Sequence, residues 1–341
     1  EKLTMITIKD VAKRAGVSIA TVSRVINQSP SVTEQSIQRV QQAIDELGYQ
    51  PNSIARSLQL GHSGLIGMIV PQLDHPFFSR LVEAAEQRCV EHGCRLVLCC
   101  SNSEETREKE FVQMLRRNRV DGMLIATRTP NLGYLDGYDI PVVGVERSIA
   151  SNVPFVACDN YTGGVLAAQA LLSRGSKHPA VLCRPSFRPV RSSFMPGDLR
   201  EKGFIDTCTA QNVACISATP DSSFNDQKAV CIAFLQDFFR AHPEADSLFT
   251  TSDVTAAWAY AFFAEKGISI PDQMQIIGFD GIDAARYLGI TTVAQPIVEM
   301  GRTAVELLLS LSTGQSAPMK TVLPVQLISR RSTRQNIQEG T

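Results

Sequence analysis

The residues with the clearest capacity for chemistry lie near the start of the sequence, within residues 18–27. Their side chains fall on one side of a helical pattern, opposite an apolar side. Arg24 could pair bidentately with a guanine, and Ile19 or Ala20 could touch a thymine methyl group. Hydroxyls and an amide on the same side could reach phosphate oxygens, and they belong to Ser18, Thr21, Ser23 and Asn27.

Two short helices must position these side chains. Thr7 can cap the first helix, with Asp10 three residues later as in a capping box, and Gly16 can end it in a left-handed conformation. Ser18 is the candidate N-cap of the second helix, and a third helix is predicted from Thr33 to Leu47. This spacing fits a DNA-reading helix-turn-helix and a plain small helical bundle equally well.

Charge does not decide between these two interpretations. Residues 7–30 carry four basic side chains against one acidic side chain, a net charge of +3. That is a modest electrostatic footprint for a nucleic-acid partner. The whole chain has 341 residues, is 44% hydrophobic and 20% charged, and carries a net charge of −1. Its length and composition fit a small module followed by a large globular core.

The segment after the third helix predicts a short connecting helix. Pro51 breaks the preceding helix. A new helix can begin at Asn52 or Ser53 and end at Gly61. Because isolated helices need about 12–15 residues in water, we expect so short a helix to form only when something holds it. Composition alone favours a plain interdomain linker in which Leu58 packs on the core.

Beyond residue 64, apolar runs alternate with helical patterns. The predicted strands are Leu65–Val70, Leu96–Cys100, Gly122–Ala126, Val142–Val145, Ala180–Cys183, Ala214–Ala218, Ser247–Thr251 and Gln275–Phe279. The predicted helices are Phe77–His92, Glu104–Arg116, Tyr161–Ser173, Leu199–Gln211, Asp226–Arg240, Thr255–Glu265 and Ile297–Leu311. Strands that alternate with helices form parallel sheets. We therefore predict an all-α headpiece followed by an α/β core of two doubly wound parallel-sheet lobes.

A cleft between such lobes would bind a small molecule, because ligands of open α/β sheets lie beyond the carboxyl ends of strands. The candidate residues near those ends are His75, Phe77, Phe78, Thr127, Arg200, Ser252, Asp253, Asp280 and Gln295. An Asp opposite an Arg suits a polyol, since each hydroxyl both donates and accepts. Alternatively, Arg200 and Asp280 form an ion pair that crosses the cleft and latches the lobes. Phe77 and Phe78 could equally be ordinary packing.

Several function classes are disfavoured by what the sequence lacks. There is no Gly-rich dinucleotide fingerprint, no G-x-S-x-G elbow and no phosphate loop ending in G-K-[ST], so we expect neither catalysis nor a cofactor. The nine cysteines are scattered without a C-x-x-C pair, so we expect no metal site and reduced thiols. No apolar run of 18 residues and no signal peptide is found, which predicts a cytoplasmic protein without a membrane partner.

The stretch Thr7–Asn27 reads TIKDVAKRAGVSIATVSRVIN and resembles the start of the lactose/galactose repressor (LacI/GalR) family of bacterial transcription regulators. The resemblance extends over nearly the whole chain, and the core is also similar to periplasmic sugar-binding proteins. It implies a helix-turn-helix domain of residues 1–49, a hinge helix and linker of residues 50–63, and two effector-binding lobes. The N-lobe would contain residues 64–160 and 296–322, and the C-lobe residues 161–293 and 323–341.

This resemblance implies a DNA-bound, nucleoid-associated homodimer on a palindromic operator. The implied DNA-binding residues are Thr7, Ser18, Ile19, Ala20, Thr21, Ser23, Arg24, Asn27, Asn52, Ala55 and Leu58. The family's hinge core A-R-x-L matches residues 55–58, and the leucine at its end wedges into a minor-groove base step. The tail of residues 330–341 lacks a leucine heptad, which argues against a tetramer-forming helix.

Three family motifs in the core imply the effector site. The motif N-P-F-[FY] becomes His75–Phe78, R-x-x-G-[FWY] begins at Arg200, and G-[FY]-D-[DG] contains Asp280. His75 stands where an Asn is common, and Ser252 replaces the Asn of the family's N-D pair. These two departures leave the identity of the effector open.

The prediction is therefore a repressor that a small sugar-like effector releases from its operator. The alternative within the family is a response to a sugar phosphate or a purine, acting as a corepressor. Three arginines in a long loop either reach a phosphorylated or carboxylated effector or are simply solvated, namely Arg184, Arg188 and Arg191. Two rivals lie outside the family: a binding protein without a DNA role, and a sugar-modifying enzyme.

Overall fold

The structure is a computed structural model of the chain. It describes residues 6–26, 29–49, 62–129, 133–135, 140–183, 195–218 and 227–335. The chain divides into two units, Glu1–Ser63 and Gly64–Thr341. They are called the headpiece and the core below, and each is described by itself.

The headpiece consists of three helices, as the sequence predicts. They are α1 (Ile8–Ala15), α2 (Ile19–Ile26) and α3 (Glu34–Leu47). The Asp10 carboxylate accepts hydrogen bonds from the backbone N and the hydroxyl of Thr7, at 2.8 and 2.7 Å. Gly16 ends α1 with φ of 66°, a conformation that costs glycine little. The helices bury a small apolar cluster of Val11, Ala12, Ala15, Val22, Val40 and Ala43.

The core contains two six-stranded sheets. The strands of the first sheet are β1 (Leu65–Val70), β2 (Arg95–Cys100), β3 (Gly122–Ile125), β4 (Val142–Val145), β5 (Phe155–Cys158) and β11 (Lys320–Leu323). Their order is β11-β5-β4-β3-β1-β2, and all neighbours are parallel. Strands β1, β3 and β4 are almost entirely buried and read as continuous apolar runs, as expected of a parallel sheet covered on both faces.

The second sheet has the same kind of order. Its strands are β6 (Pro179–Leu182), β7 (Ile216–Ala218), β8 (Ser247–Thr250), β9 (Gln275–Asp280), β10 (Thr291–Ala294) and β12 (Gln326–Ile328). The order is β12-β10-β9-β8-β6-β7, and β12 runs antiparallel to β10 while the other neighbours are parallel.

Helices cover both sheets. They are α4 (Pro76–Glu91), α5 (Glu105–Arg117), α6 (Asn160–Ser173), α7 (Pro196–Ala210), α8 (Gln227–Ala241), α9 (Asp253–Glu265), α10 (Asp283–Leu288) and α11 (Ile297–Ser312). Helices α4, α5 and α11 pack on the first sheet, which together form the first lobe. Helices α6 to α10 accompany the second sheet and form the second lobe with it. No helix in the described ranges has the length and apolar character needed to cross a membrane.

The chain passes between the lobes at three places. Strand β5 is followed by α6 of the second lobe, β10 by α11 of the first, and β11 by β12 of the second. In parallel sheets these passages gather at the carboxyl ends of strands, which is the edge where ligands bind.

Four strands lie outside the set that the sequence predicted: β5, β10, β11 and β12. Each spans only three or four residues, and in β10, β11 and β12 polar side chains interrupt the apolar run. Strands β11 and β12 are also sheet edges with half-exposed side chains. Long-range pairing, rather than local pattern, forms these strands.

Candidate functional site

Arg200 is the centre of a buried polar cluster in the second lobe. It lies in the first turns of α7 and its side chain is almost fully buried. Its Nε donates to Asn160 Oδ1 and its Nη1 to the Thr251 carbonyl oxygen, both at 2.8 Å. The guanidinium stacks on the Phe279 ring with its Cζ 3.7 Å from the ring centroid. These contacts fix the plane of the guanidinium.

The motif R-E-K-G-F explains how the backbone of α7 is held. A Cβ on Gly203 would lie 2.1 Å from the Tyr161 carbonyl oxygen, so only glycine lets α7 approach α6 this closely. The next residue, Phe204, is fully buried and stacks on Phe249 with ring centroids 5.2 Å apart. The close packing of helix α7 therefore fixes the backbone position of Arg200.

Asp280 faces Arg200 from the end of β9. Its Oδ1 accepts a hydrogen bond from Gln295 Nε2 at 2.7 Å and lies 3.6 Å from Arg200 Nη1. The backbone of Asp280 has φ of 123°, which is strained for a residue with a side chain. Burial raises the pKa of the Asp280 carboxyl to about 7, against the lowering effect of the Arg200 charge.

Three buried polar atoms of this cluster have no hydrogen-bond partner within the described part of the chain. They are Arg200 Nη2, Asp280 Oδ2 and Gln295 Oε1. A buried polar atom without a partner costs about 1–3 kcal/mol, so such atoms in one place point to a missing partner. Together they offer one N–H donor and two oxygen acceptors to a ligand.

Asp253 and Ser252 lie beside this cluster and have different roles. The Asp253 carboxylate accepts hydrogen bonds from Gly281 N, Ile282 N and Thr292 Oγ1, at 2.7, 2.9 and 2.6 Å. Burial raises the pKa of Asp253 while these three donors oppose the rise. Because both oxygens are occupied, Asp253 ties β9 and β10 together next to Asp280. The hydroxyl of Ser252 caps α9 by accepting from Val254 N at 3.2 Å.

His75 of the first lobe contacts Ser252 of the second lobe. It is the N-cap of α4, and its Nδ1 accepts from Phe77 N at 3.3 Å. A ring nitrogen that accepts carries no proton, so in the neutral ring the proton is on Nε2. The Nε2–H group then donates to Ser252 Oγ, 3.4 Å away in the other lobe.

The remaining candidates of the first lobe are packed inside it. Phe77 and Phe78 are buried and meet edge to face, with ring centroids 5.0 Å apart. The Thr127 hydroxyl donates to both oxygens of the buried Glu108, at 2.6 and 2.8 Å. The effector role predicted for these three residues therefore has less support than that of Arg200 or Asp280.

Two residues of the cluster were missed in the sequence. Glu146 follows β4, and its Oε1 lies 4.0 Å from Arg200 Nη2 of the other lobe. Asn160 begins α6 and holds Arg200 Nε. Glu146 could have been found, because it directly follows a buried strand as the other candidates do. Its φ of 76° could not be read from the sequence.

The alternative role for Arg200 and Asp280, an ion pair that latches the lobes together, needs correction. Asp280 ends a strand of the second sheet, and Arg200 lies in a helix that connects two strands of that sheet. Their ion pair is therefore internal to one lobe. Polar contacts that cross between the lobes, among the residues that the structure describes, include Glu146 with Arg200 and His75 with Ser252.

The headpiece presents a second candidate surface on α2. The side chains of Ile19, Ala20 and Arg24 are exposed, and Ile19 is 45% exposed although it is apolar. The Ser18 hydroxyl caps α2 by accepting from Thr21 N at 3.1 Å and contacts the Thr21 hydroxyl at 2.9 Å. An exposed isoleucine, an exposed arginine and hydroxyls on one helix suit a helix that reads a groove.

Several predicted residues lie outside the described ranges. They are Asn27, Asn52, Ala55 and Leu58 of the predicted DNA-binding set, and Arg184, Arg188 and Arg191 of the loop. Within the described ranges, no group of three His, Cys, Asp or Glu side chains could hold a metal ion.

Both parts of the chain match known protein families. Residues 7–52 match the profile of bacterial regulatory proteins of the lacI family. Residues 63–331 match the profile of periplasmic binding proteins and the sugar-binding domain of the LacI family. The chain belongs to the LacI family. It is therefore a DNA-binding transcriptional regulator, and the headpiece is a helix-turn-helix domain rather than an unrelated helical bundle.

Individual LacI-family relatives match over nearly their whole length. The chain is 36% identical to the ribose operon repressor of Halalkalibacterium halodurans, over 97% of this chain and 98% of the relative. It is 34% identical to the sucrose operon repressor of Streptococcus mutans, over 95% and 98%. A crystal structure of the lac repressor dimer bound to operator and the anti-inducer ONPF matches with a TM-score of 0.82 and 26% identity, over 97% and 99%. The predicted fold class is thereby confirmed.

Proposed function

We propose that this LacI-family regulator is a dimeric repressor, and that a small neutral sugar bound between the lobes releases it from a palindromic operator. The observation that carries the proposal is the set of three unpartnered atoms on Arg200, Asp280 and Gln295. A sugar hydroxyl can donate to an acceptor and accept from a donor, so vicinal hydroxyls could satisfy all three atoms. The effector-binding N-lobe would comprise residues 64–160 and 296–322, and the C-lobe residues 161–293 and 323–341, as the family resemblance implies.

Charge favours a neutral effector over a phosphorylated one. The Arg200 cation already lies 3.6 Å from the Asp280 carboxylate and 4.0 Å from that of Glu146. A phosphate brings negative charge and acceptors, whereas two of the three open atoms, Asp280 Oδ2 and Gln295 Oε1, require donors. Sugar phosphates are therefore the disfavoured effectors.

On the DNA side, we propose that α2 reads the major groove through Arg24, Ile19 and Ala20. Thr7, Ser18, Thr21, Ser23 and Asn27 would contact phosphates, and the hinge residues Asn52, Ala55 and Leu58 would act in the minor groove. The relatives named above are operon repressors. We propose that this chain acts by binding alone, without catalysis, on the nucleoid in the bacterial cytoplasm.

The test combines thermal unfolding with operator binding. The purified full chain is heated with neutral sugars, their phosphates and purines, and a ligand of the native state raises the Tm. We expect a neutral sugar to raise the Tm and to weaken binding in a gel-shift assay on a selected operator duplex. A shift given only by a sugar phosphate or a purine would contradict the neutral-sugar proposal. Tighter operator binding with the sugar would contradict the inducer role.

The pKa of Asp280 predicts the pH dependence of that binding. A sugar hydroxyl that donates to Asp280 Oδ2 needs the ionised carboxylate, whose pKa is about 7. Effector affinity should therefore fall by about tenfold for each pH unit below 7. The stability of the effector-free protein should change in the opposite direction. Because the pKa of Asp280 is raised in the folded protein, the ionised carboxylate destabilises the fold, and the free energy of unfolding should increase as the pH falls below 7. Calorimetric titration between pH 8 and 5 measures the first effect.

The variant Asp280→Asn is the control for this dependence. It should bind the effector weakly at every pH and lose less affinity than the wild type between pH 8 and 5, a range in which Asp253, whose pKa burial raises to about 6, also titrates. The exposed neighbour Asp283, changed to Asn, should leave the wild-type pH profile unchanged. A flat profile in the wild-type protein would show that Asp280 does not accept from the effector.

A further inference from the structure

We infer that the hydrogen bond between His75 and Ser252 closes one side of the effector cleft and restricts the effector to a single sugar ring. The inference rests on the proposed neutral-sugar function and adds a size limit to it. The bond joins the two lobes directly, with His75 Nε2 3.4 Å from Ser252 Oγ. Both side chains are buried, at 5% and 4% exposure.

The contact lies next to the cluster that would bind the sugar. Ser252 follows Thr251, whose carbonyl oxygen accepts from Arg200 Nη1 at 2.8 Å. It precedes Asp253, whose carboxylate holds Gly281 N beside Asp280 at 2.7 Å. A ligand on Arg200 and Asp280 that extended toward Ser252 would therefore meet the His75 ring.

Neither partner can move aside at little cost. The His75 ring caps α4 through Nδ1 and meets Phe78 edge to face, with ring centroids 5.9 Å apart. The Ser252 hydroxyl caps α9 through Val254 N. Swinging either side chain away would break a helix cap as well as the bond between the lobes.

A further polar contact between the lobes lies at Arg200 itself. Glu146 Oε1 of the first lobe lies 4.0 Å from Arg200 Nη2. A second sugar ring on the Ser252 side would hold the lobes apart and break the His75 bond, while a single ring on Arg200, Asp280 and Gln295 leaves it intact. The lobes can then close fully only on a monosaccharide.

The experiment compares monosaccharides and disaccharides on the full-length protein. D-ribose, D-glucose, sucrose and cellobiose are titrated calorimetrically, with thermal shift as a second readout. We expect at least one monosaccharide to bind 100-fold more tightly than either disaccharide. A disaccharide bound as tightly as the best monosaccharide would overturn the size limit but leave the neutral-sugar proposal standing. Binding of no neutral sugar, neither these four nor those of the thermal-unfolding series, would overturn both.

Two variants test whether this contact sets the limit. His75→Asn keeps an N-cap residue on α4 but is too short to reach Ser252, and Ser252→Gly removes the acceptor with little loss of capping. Each should reduce the preference for the monosaccharide at least tenfold. The matched control is His92→Asn, the same exchange at the other end of α4, which should leave the preference unchanged. An unchanged preference in both cleft variants would show that this contact does not exclude the second ring.

Discussion

Exchange of Arg200 for lysine should strongly lower the affinity of the repressor for its effector while leaving its affinity for the operator unchanged. Lysine keeps a positive charge near Asp280 and Glu146, so no buried carboxylate loses its cation. It cannot reproduce the planar fork that donates to Asn160 and Thr251 and offers Nη2 to the ligand. A charge-assisted hydrogen bond contributes about 1.5–3 kcal/mol, so effector affinity should fall roughly 10- to 100-fold.

Calorimetry and gel shifts measure the two halves of this expectation. Operator affinity without effector should stay within about threefold of the wild type, and a much higher sugar concentration should be needed to release the DNA. The matched control is Arg174→Lys. Arg174 is an arginine of the same lobe that donates to the Ala170 carbonyl oxygen and the Ser329 hydroxyl. Equal effector affinity in the Arg200→Lys protein and the wild type would remove Arg200 from the binding site.

The packing around Arg200 explains why the sequence motif R-x-x-G-F marks this position. The motif R-x-x-G-F records three physical requirements at once: a guanidinium at the cleft, a close approach of two helices and a buried aromatic ring. Gly203 meets the second requirement because its missing Cβ would otherwise lie 2.1 Å from Tyr161 O. Phe204 meets the third by stacking on Phe249. A pattern set by packing and chemistry together is readable without a structure.

The contact between Glu146 and Arg200 could not be predicted from the sequence in this way. Its approach to Arg200 depends on how the two lobes face each other and on a backbone φ of 76°. Neither is encoded within a few residues of sequence. The same holds for β11, which pairs in parallel with β5 although more than 150 residues separate them. Short strands and contacts between lobes arise from tertiary packing, so local sequence propensity does not predict them.

Most polar residues of the candidate site lie in the second lobe of the core. Arg200, Asp280 and Gln295 carry the three open atoms, and Asn160 and Asp253 fix their surroundings within the second lobe. The first lobe adds His75 and Glu146, each in contact with the second lobe. The two lobes also share one continuous apolar cluster. We therefore expect an effector held by the second lobe to act on the first through this apolar packing as well as through the polar contacts of His75 and Glu146.

At the other end of the chain, replacing Arg24 by alanine should weaken operator binding and relax its sequence preference. Arg24 is exposed in the last turn of α2, one turn beyond the exposed Ala20. No ion pair within the described part of the headpiece involves Arg24, so its loss should not destabilise the helix. A bidentate contact with guanine is worth about 1–3 kcal/mol, which corresponds to roughly 5- to 150-fold in affinity.

The control for Arg24→Ala is Arg39→Ala. Arg39 is also an exposed arginine of the headpiece, but it lies on α3. Both variants lose one positive charge, so both should weaken binding to random-sequence DNA to a similar extent. Only Arg24→Ala should lose the discrimination between an operator duplex, selected with the wild-type protein, and the same duplex with single base changes. If both variants keep that discrimination, Arg24 contacts the DNA backbone and the base-reading role passes to other residues of α2.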